Sequence, residues 1–250
     1  MRMPAMAALG AAAYGIFLVA TAPASFIAAR ASAAAPERIE VTETQGTLWG
    51  GHARARIRAT GGDVLLDRIE WRLLPARLAS GRIAFEVTAA GRGLDARLQV
   101  ARGFGGWELR DAAARGDASA LTPLAPMIAA WRPEGRVAIS SAAIEWNETR
   151  AQGDLRAEWS DAGLSISEVR PLGSYRIDVH ANGGPAKIVV ATVSGPLRIA
   201  AQGTLTTASG LSLSGDARGE GAAAAALEPL LNLIGPRRPD GARALEIRLN

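Results

Sequence analysis

The sequence predicts an all-β protein: a curved antiparallel meander sheet, shaped as a trough or open sandwich, with two short helical segments, behind an N-terminal single transmembrane helix. Three observations predict it. Apolar and polar residues alternate with a period of two from Arg38 onward. Glycine-rich turn residues interrupt that alternation at short intervals. Between Arg2 and Arg30 there is no charge at all.

The uncharged segment comes first. Leu9, Ala11, Ala13, Tyr14, Ile16, Phe17, Leu18, Val19, Ala20, Phe26 and Ile27 supply an apolar stretch of the roughly twenty residues that a bilayer span needs. With Arg2 on its short side, the positive-inside tendency leaves the N-terminus in the cytoplasm and exports the rest. The competing reading is a cleaved signal peptide, for Ala31-Ser32-Ala33 resembles a processing site. A retained anchor is preferred, because the apolar region exceeds the roughly fifteen residues of a signal core. The expected organisation is an anchor at 1–30, a linker at 31–36 and an exported β domain at 37–250.

The body alternates strictly. Ile39 and Val41 face Glu40 and Thr42; Ala53, Ala55 and Ile57 face three arginines. The beat continues through Ile69-Trp71-Leu73, Ile83-Phe85-Val87, Leu94 to Val100, Val137-Ile139, Ile144-Trp146, Leu155 to Trp159, Tyr175-Ile177-Val179, Leu197-Ile199, Leu211-Leu213 and Leu245 to Leu249. Ile188-Val189-Val190 is continuously apolar, which suggests a strand covered on both faces. Turns at Gly61-Gly62-Asp63, Gly91 and Gly93, Gly103 to Gly106, Asn182-Gly183-Gly184 and Gly195-Pro196 imply antiparallel neighbours. Gly-X-apolar tripeptides at Gly46, Gly81, Gly135, Gly153 and Gly203 read as a recurring strand opening. The repeated Ile69-Glu70-Trp71 and Ile144-Glu145-Trp146 suggest a duplicated meander, with halves at about 37–117 and 135–250.

Two segments depart from this rhythm, Leu121 to Trp131 with two prolines and Ala222 to Ile234, which stops at Gly235-Pro236. Both read as short helices. An outer-membrane barrel is not expected, since the strands read as short and aromatic girdles are absent.

Composition narrows the chemistry. There is no cysteine, and His52 and His180 are the two histidines, so thiolate metal centres are excluded and histidine chemistry has little material. The net charge of +4 comes almost entirely from scattered arginines, Lys187 being the sole lysine, and no basic patch interleaved with aromatics tracks a nucleic acid. Phosphate-loop, His-Glu-x-x-His and Gly-x-Ser-x-Gly motifs are absent. Glu86, Asp95, Glu145, Glu158 and Asp178 fall on polar strand positions. No catalytic, cofactor or metal residue is expected, and the protein reads as a non-enzyme.

Trp71, Trp146 and Trp159 share the apolar beat and read as core. Trp49, followed by Gly50 and Gly51, is the candidate interaction site, because a glycine pair lets another backbone approach.

Four strings in order carry a family resemblance. They are Gly46-Thr47-Leu48-Trp49-Gly50-Gly51; Trp71 to Gly81, with Pro75 and Leu78 inside it; Pro171-Leu172-Gly173-Ser174-Tyr175-Arg176; and Leu231-Asn232-Leu233-Ile234-Gly235-Pro236 before Asp240-Gly241. Together they resemble the type II secretion system protein N family. That resemblance implies a single-pass inner-membrane protein with a periplasmic β domain, an accessory part of the pathway that moves folded proteins across the outer membrane. Its implied partners are bitopic inner-membrane subunits and the secretin. A second function class stays open: a lipid-handling trough, as similarity of the strand openings to AsmA-like envelope proteins would allow.

Overall fold

The computed structural model describes residues 21–25, 29, 33, 37–59, 62–124, 130–206 and 210–249. Thirteen strands form one sheet whose spatial order is the chain order. They are β1 (Ile39–Thr47), β2 (Gly50–Ala59), β3 (Gly62–Leu73), β4 (Ile83–Gly91), β5 (Leu94–Gly103), β6 (Gly106–Asp117), β7 (Pro133–Trp146), β8 (Ala151–Leu164), β9 (Gly173–Asn182), β10 (Ala186–Ser194), β11 (Leu197–Thr206), β12 (Gly210–Gly219) and β13 (Arg243–Leu249). Every adjacent pair is antiparallel. This is the expected meander, drawn as a single open layer; a second sheet to close a sandwich is not present among the described residues.

The period-two pattern becomes two chemically distinct faces. One row in register runs Ala53, Ile69, Ala89, Ala96, Ala114, Ile139, Ala157, Ile177, Val190, Ala201, Gly215 and Leu245 across β2 to β13. The neighbouring row on the other face runs His52, Glu70, Thr88, Arg97, Ala113, Ser140, Arg156, Asp178, Val189, Gln202, Ser214 and Glu246. Cross-strand ion pairs lace the polar face, as in Arg156 to Asp178 at 2.7 Å and Arg176 to Glu158 at 3.3 Å. Val189 belongs to this polar row and is 49% exposed. The run Ile188-Val189-Val190 is therefore not a strand covered on both sides; Val189 is an exposed apolar residue, of the kind folded surfaces commonly carry.

Strands run longer than the alternation suggests, β7 and β8 reaching 14 residues each. Bulges are the reason. The runs Val137-Ile139 and Ile144-Trp146 are out of phase, yet both lie in β7, joined by a register shift between Ser140 and Ile144. Glu43, Asp111 and Asp161 adopt positive φ of 51°, 48° and 52° beside the shifts at Thr42/Gln45, Arg97/Gln99 and Trp159/Ala162. Aspartate tolerates this left-handed geometry better than branched residues do, which suits Asp111 and Asp161. The glycines of the Gly-X-apolar tripeptides do different jobs as well: Gly81 ends a 3-10 turn while Gly203 lies inside β11. They are not one repeated strand opening.

Among the described residues, an α-helix packs on the sheet near its C-terminal end, and a 3-10 segment packs against β3 and β7. Helix α1 (Ala224–Ile234) places Leu227, Leu230 and Leu231 against Leu164, Leu172, Leu197 and Ala217. Ala217 and Leu227 are fully buried. The expected C-terminal helix is present, with Pro229 inside it and Gly235 ending it. The other expected helical segment begins earlier than anticipated, as a 3-10 turn at Ala118–Leu124, because Pro123 cannot donate to a continuing helix; residues 125–129 of that expectation lie outside the described ones.

The anchor expected at 1–30 falls largely outside the described residues, as does most of the 31–36 linker. No helix among the described residues is long and apolar enough to cross a membrane. Of the described residues in this segment, Thr21 to Ala24 are not helical, whereas Ser25 and Ala29 are. Pro23 bridges Thr47, the Leu48 N–H donates to the Ala22 carbonyl at 2.7 Å, and the Ala24 N–H donates to Gly46 at 3.1 Å. Proline biases the residue before it toward extended backbone, and Ala22 to Ala24 here line the outer edge of β1.

Candidate interaction surface

The Gly46 to Gly51 string builds the turn between β1 and β2. Gly46 has φ +97° and stands opposite Gly51 in register. A Cβ on Gly51 would come within 2.3 Å of the Gln45 carbonyl oxygen and 2.8 Å of the Trp71 ring, so only glycine fits. Trp71 lies over this glycine, and its indole N–H donates to the Thr47 carbonyl at 3.2 Å. The glycine pair thus admits the Trp71 side chain of this same chain. Trp49, half-buried at the turn, accepts from the Leu73 N–H through its carbonyl at 2.6 Å. The next string follows directly: Pro75 starts a 3-10 turn, Leu78 points outward, and Gly81 (φ +71°) closes it with its N–H on the Leu78 carbonyl.

The remaining strings meet elsewhere, beneath α1. Leu172 and Leu231 share the buried cluster. Gly173 has no room for a side chain, its would-be Cβ lying 2.4 Å from the Ser194 carbonyl oxygen. Tyr175 is buried against Trp159, and its hydroxyl donates to the Leu197 carbonyl at 3.0 Å; burial pushes the phenol well above its ordinary pKa. Arg176 reaches Glu158 on the polar face, Asn232 is exposed, and Gly235 approaches the Ala244 carbonyl where no Cβ could. Most of the fifteen motif positions therefore fall into two groups, one at the β1–β2 end and one under the helix, with Arg176 on the opposite face of the sheet.

Beside the first group, the structure assembles a cluster that sequence reasoning missed. In an antiparallel meander alternate turns share an end, and here the β1–β2 turn, the Pro75–Ser80 turn, the β5–β6 hairpin and the β7–β8 hairpin lie together. Trp107 and Trp146 pair across strands and stack with centroids 6.2 Å apart, while Arg102 lies 5.1 Å over the Trp107 ring. Phe104, between Gly103 and Gly105 at the hairpin tip, is fully exposed. An open pocket of about 380 Å³ sits among them, lined by Arg82, Glu108, Glu145 and Arg150 as well as the two tryptophans.

Glu108, on the polar face, is 3% exposed. Three guanidiniums converge on its carboxylate: Arg77 at 2.8 Å, together with Arg82 and Arg110. Burial alone would raise its pKa, but the hydrogen bonds from Arg110 and Arg82 and the charges of Arg110 and Arg77 outweigh that and hold it below the ordinary glutamate value. Glu86 is likewise lowered, by hydrogen bonds from Arg72 and Arg97. No group of three or more histidine, aspartate or glutamate side chains is arranged to hold a metal among the described residues. His180 contacts Asp154 on the exposed polar face, and His52 stands opposite Glu70.

The lone aromatic among glycines at Phe104 was visible in the sequence as an oddity. Glu108 was not, for it reads as one more polar-beat carboxylate, and Arg77 and Arg82 lie 31 and 26 residues away.

A one-layer antiparallel meander places the described residues in the all-β class of extended open sheets. Residues 37–246 match the family described as Type II secretion system (T2SS), protein N, and the chain belongs to that family. No curated protein and no solved structure matches it. Membership gives an accessory role in type II secretion, in the cell envelope and in contact with other components of that system.

Proposed function

We propose that this protein is a non-enzymatic, inner-membrane-anchored scaffold whose periplasmic sheet contacts bitopic inner-membrane subunits or the secretin. One observation carries the reading. The strands form one open layer, and apolar side chains as large as Ile83, Trp107, Val193 and Leu205 stand exposed on it. A sheet that leaves so much of itself uncovered is suited to binding along its faces and edges. Both edges are blocked over part of their length, β1 by Ala22 to Ala24 and β13 by the bridge from Arg237 to Arg243. Partial blocking of this kind suppresses promiscuous strand pairing and leaves Ile39–Gln45 and Leu245–Leu249 as the strand-pairing positions.

The test places photo-crosslinking residues at exposed Thr42 and Glu246 in full-length protein, in cells making the whole secretion apparatus. Adducts with other secretion subunits are expected. Adducts confined to phospholipid would favour the lipid-handling reading instead, and an absence of adducts at both edges would refute edge docking.

A further inference from the structure

We propose that the sheet end bearing Phe104, Trp107 and Trp146 rests in the headgroup layer of the membrane, with Phe104 inserted into it. The proposal rests on the reading of an N-terminal anchor, confined to the sequence upstream of Thr21 because Ala22 to Ala24 pair with the sheet, and extends it to the folded body. Three observations lead there.

The first is where the chain leaves the sheet. Hydrogen bonds from Leu48 to Ala22 and from Ala24 to Gly46 fix the chain at the β1–β2 turn. Upstream of that point the sequence from Met3 to Ala20 is uncharged and mostly apolar, about the length of a bilayer span. The β5–β6 hairpin is at the same end of the sheet, about 19 Å away at the usual spacing of strands. A bilayer holding the upstream segment therefore lies beside that hairpin.

The second is the chemistry of the end itself. Phe104 is 105% exposed on a tip of Gly103, Gly105 and Gly106, and Ile83, Leu78 and Trp107 are 50%, 47% and 42% exposed around it. Large apolar groups at a glycine tip gain nothing from water, and Trp with an apolar body and a polar N–H is favoured at membrane interfaces. The Trp107–Trp146 stack gives the tip a rigid platform.

The third is charge. Arg82 and Arg150 line the pocket against Glu108 and Glu145; beyond the lining, Arg77 and Arg110 also end on Glu108, Arg102 lies over Trp107, and Glu148 sits in the β7–β8 turn. The buried Glu108 is already matched by three of those arginines. The excess is positive, as an anionic lipid surface requires, and arginine can lay its stem along apolar neighbours while its guanidinium meets phosphates.

The absence of cysteine makes the test direct. Full-length Phe104→Cys carries an environment-sensitive fluorophore in vesicles of phosphatidylethanolamine and phosphatidylglycerol, and Glu220→Cys, at the opposite end of the sheet, is the comparison. On flotation both variants travel with the vesicles. The label at position 104 shifts its emission to the blue and loses most of its intensity to spin-labelled lipid, while the label at 220 keeps both. If both variants float but position 104 stays accessible to an aqueous quencher, the anchor stands and the membrane-docked end is refuted. Shielding at 104 from both quenchers would assign the tip to a protein contact and overturn the proposal. Failure to float would overturn the anchor and the docking with it.

Discussion

Replacing Glu108 with Gln removes one negative charge from under three guanidiniums while keeping the shape. Hydrogen bonds between charged groups contribute about 1.5–3 kcal/mol each, and three of them end on this carboxylate. The full sum is not expected, because the side chains of Arg77, Arg82 and Arg110 are 29%, 36% and 43% exposed and can recover water, and glutamine keeps one acceptor. A loss of about 3 kcal/mol follows, the low end for breaking a buried ion pair. In a domain of this size that lowers Tm by about 6–12 °C. The folded-state pKa of Glu108 is depressed, so its contribution is complete above the ordinary glutamate value of about 4.3 and disappears as pH falls through the folded value. Thermal melts of detergent-solubilised full-length protein, followed by circular dichroism from pH 8 to pH 3, should show a gap between wild type and variant that is constant down to about pH 5 and closes at lower pH. A gap equally wide at pH 3 would mean that packing, not charge, is responsible. No gap at neutral pH would refute the cluster's role altogether.

Two further substitutions test the core and the faces. Leu227→Ala should cost about 3–4 kcal/mol in chemical denaturation, since the side chain is fully buried under α1 among Leu172, Leu197 and Leu231; a cost below about 1 kcal/mol would mean the helix does not hold that end of the sheet. Ile177→Asp puts a charge between Ala157 and Val190 on the apolar face and should cost about 2 kcal/mol, whereas Asp178→Asn loses only an exposed ion pair with Arg156 and should stay within about 0.5 kcal/mol. Equal melting temperatures for the pair would contradict the assignment of the faces.

How legible the molecule is in its sequence varies with the range of the interaction. The apolar beat at Ile177 and Val179 states which side chains share a face, because alternation is a property of any extended strand. Gly46, Gly51 and Trp71 are visible as a string, but their meaning is not: the indole that requires Gly51 to lack a side chain arrives from twenty residues downstream. Phase changes at Ser140 to Ile144 read as separate strands, since a bulge looks like a break when only period two is considered. The expectation of core placement suits Trp159, which contacts Tyr175 and packs against the buried cluster, better than Trp146, which stacks on the exposed Trp107.

Strand identity, antiparallel order, the C-terminal helix and the family resemblance were thus set by local chemistry: side-chain alternation, the backbone freedom of glycine and the helix-ending proline and glycine. The tertiary structure alone decided that the sheet is one open layer, that Ala22 to Ala24 fold back onto β1, and that Arg77, Arg82 and Arg110 converge on Glu108. These depend on which distant segments meet, and a carboxylate on a polar beat looks the same in sequence whether water or three guanidiniums surround it.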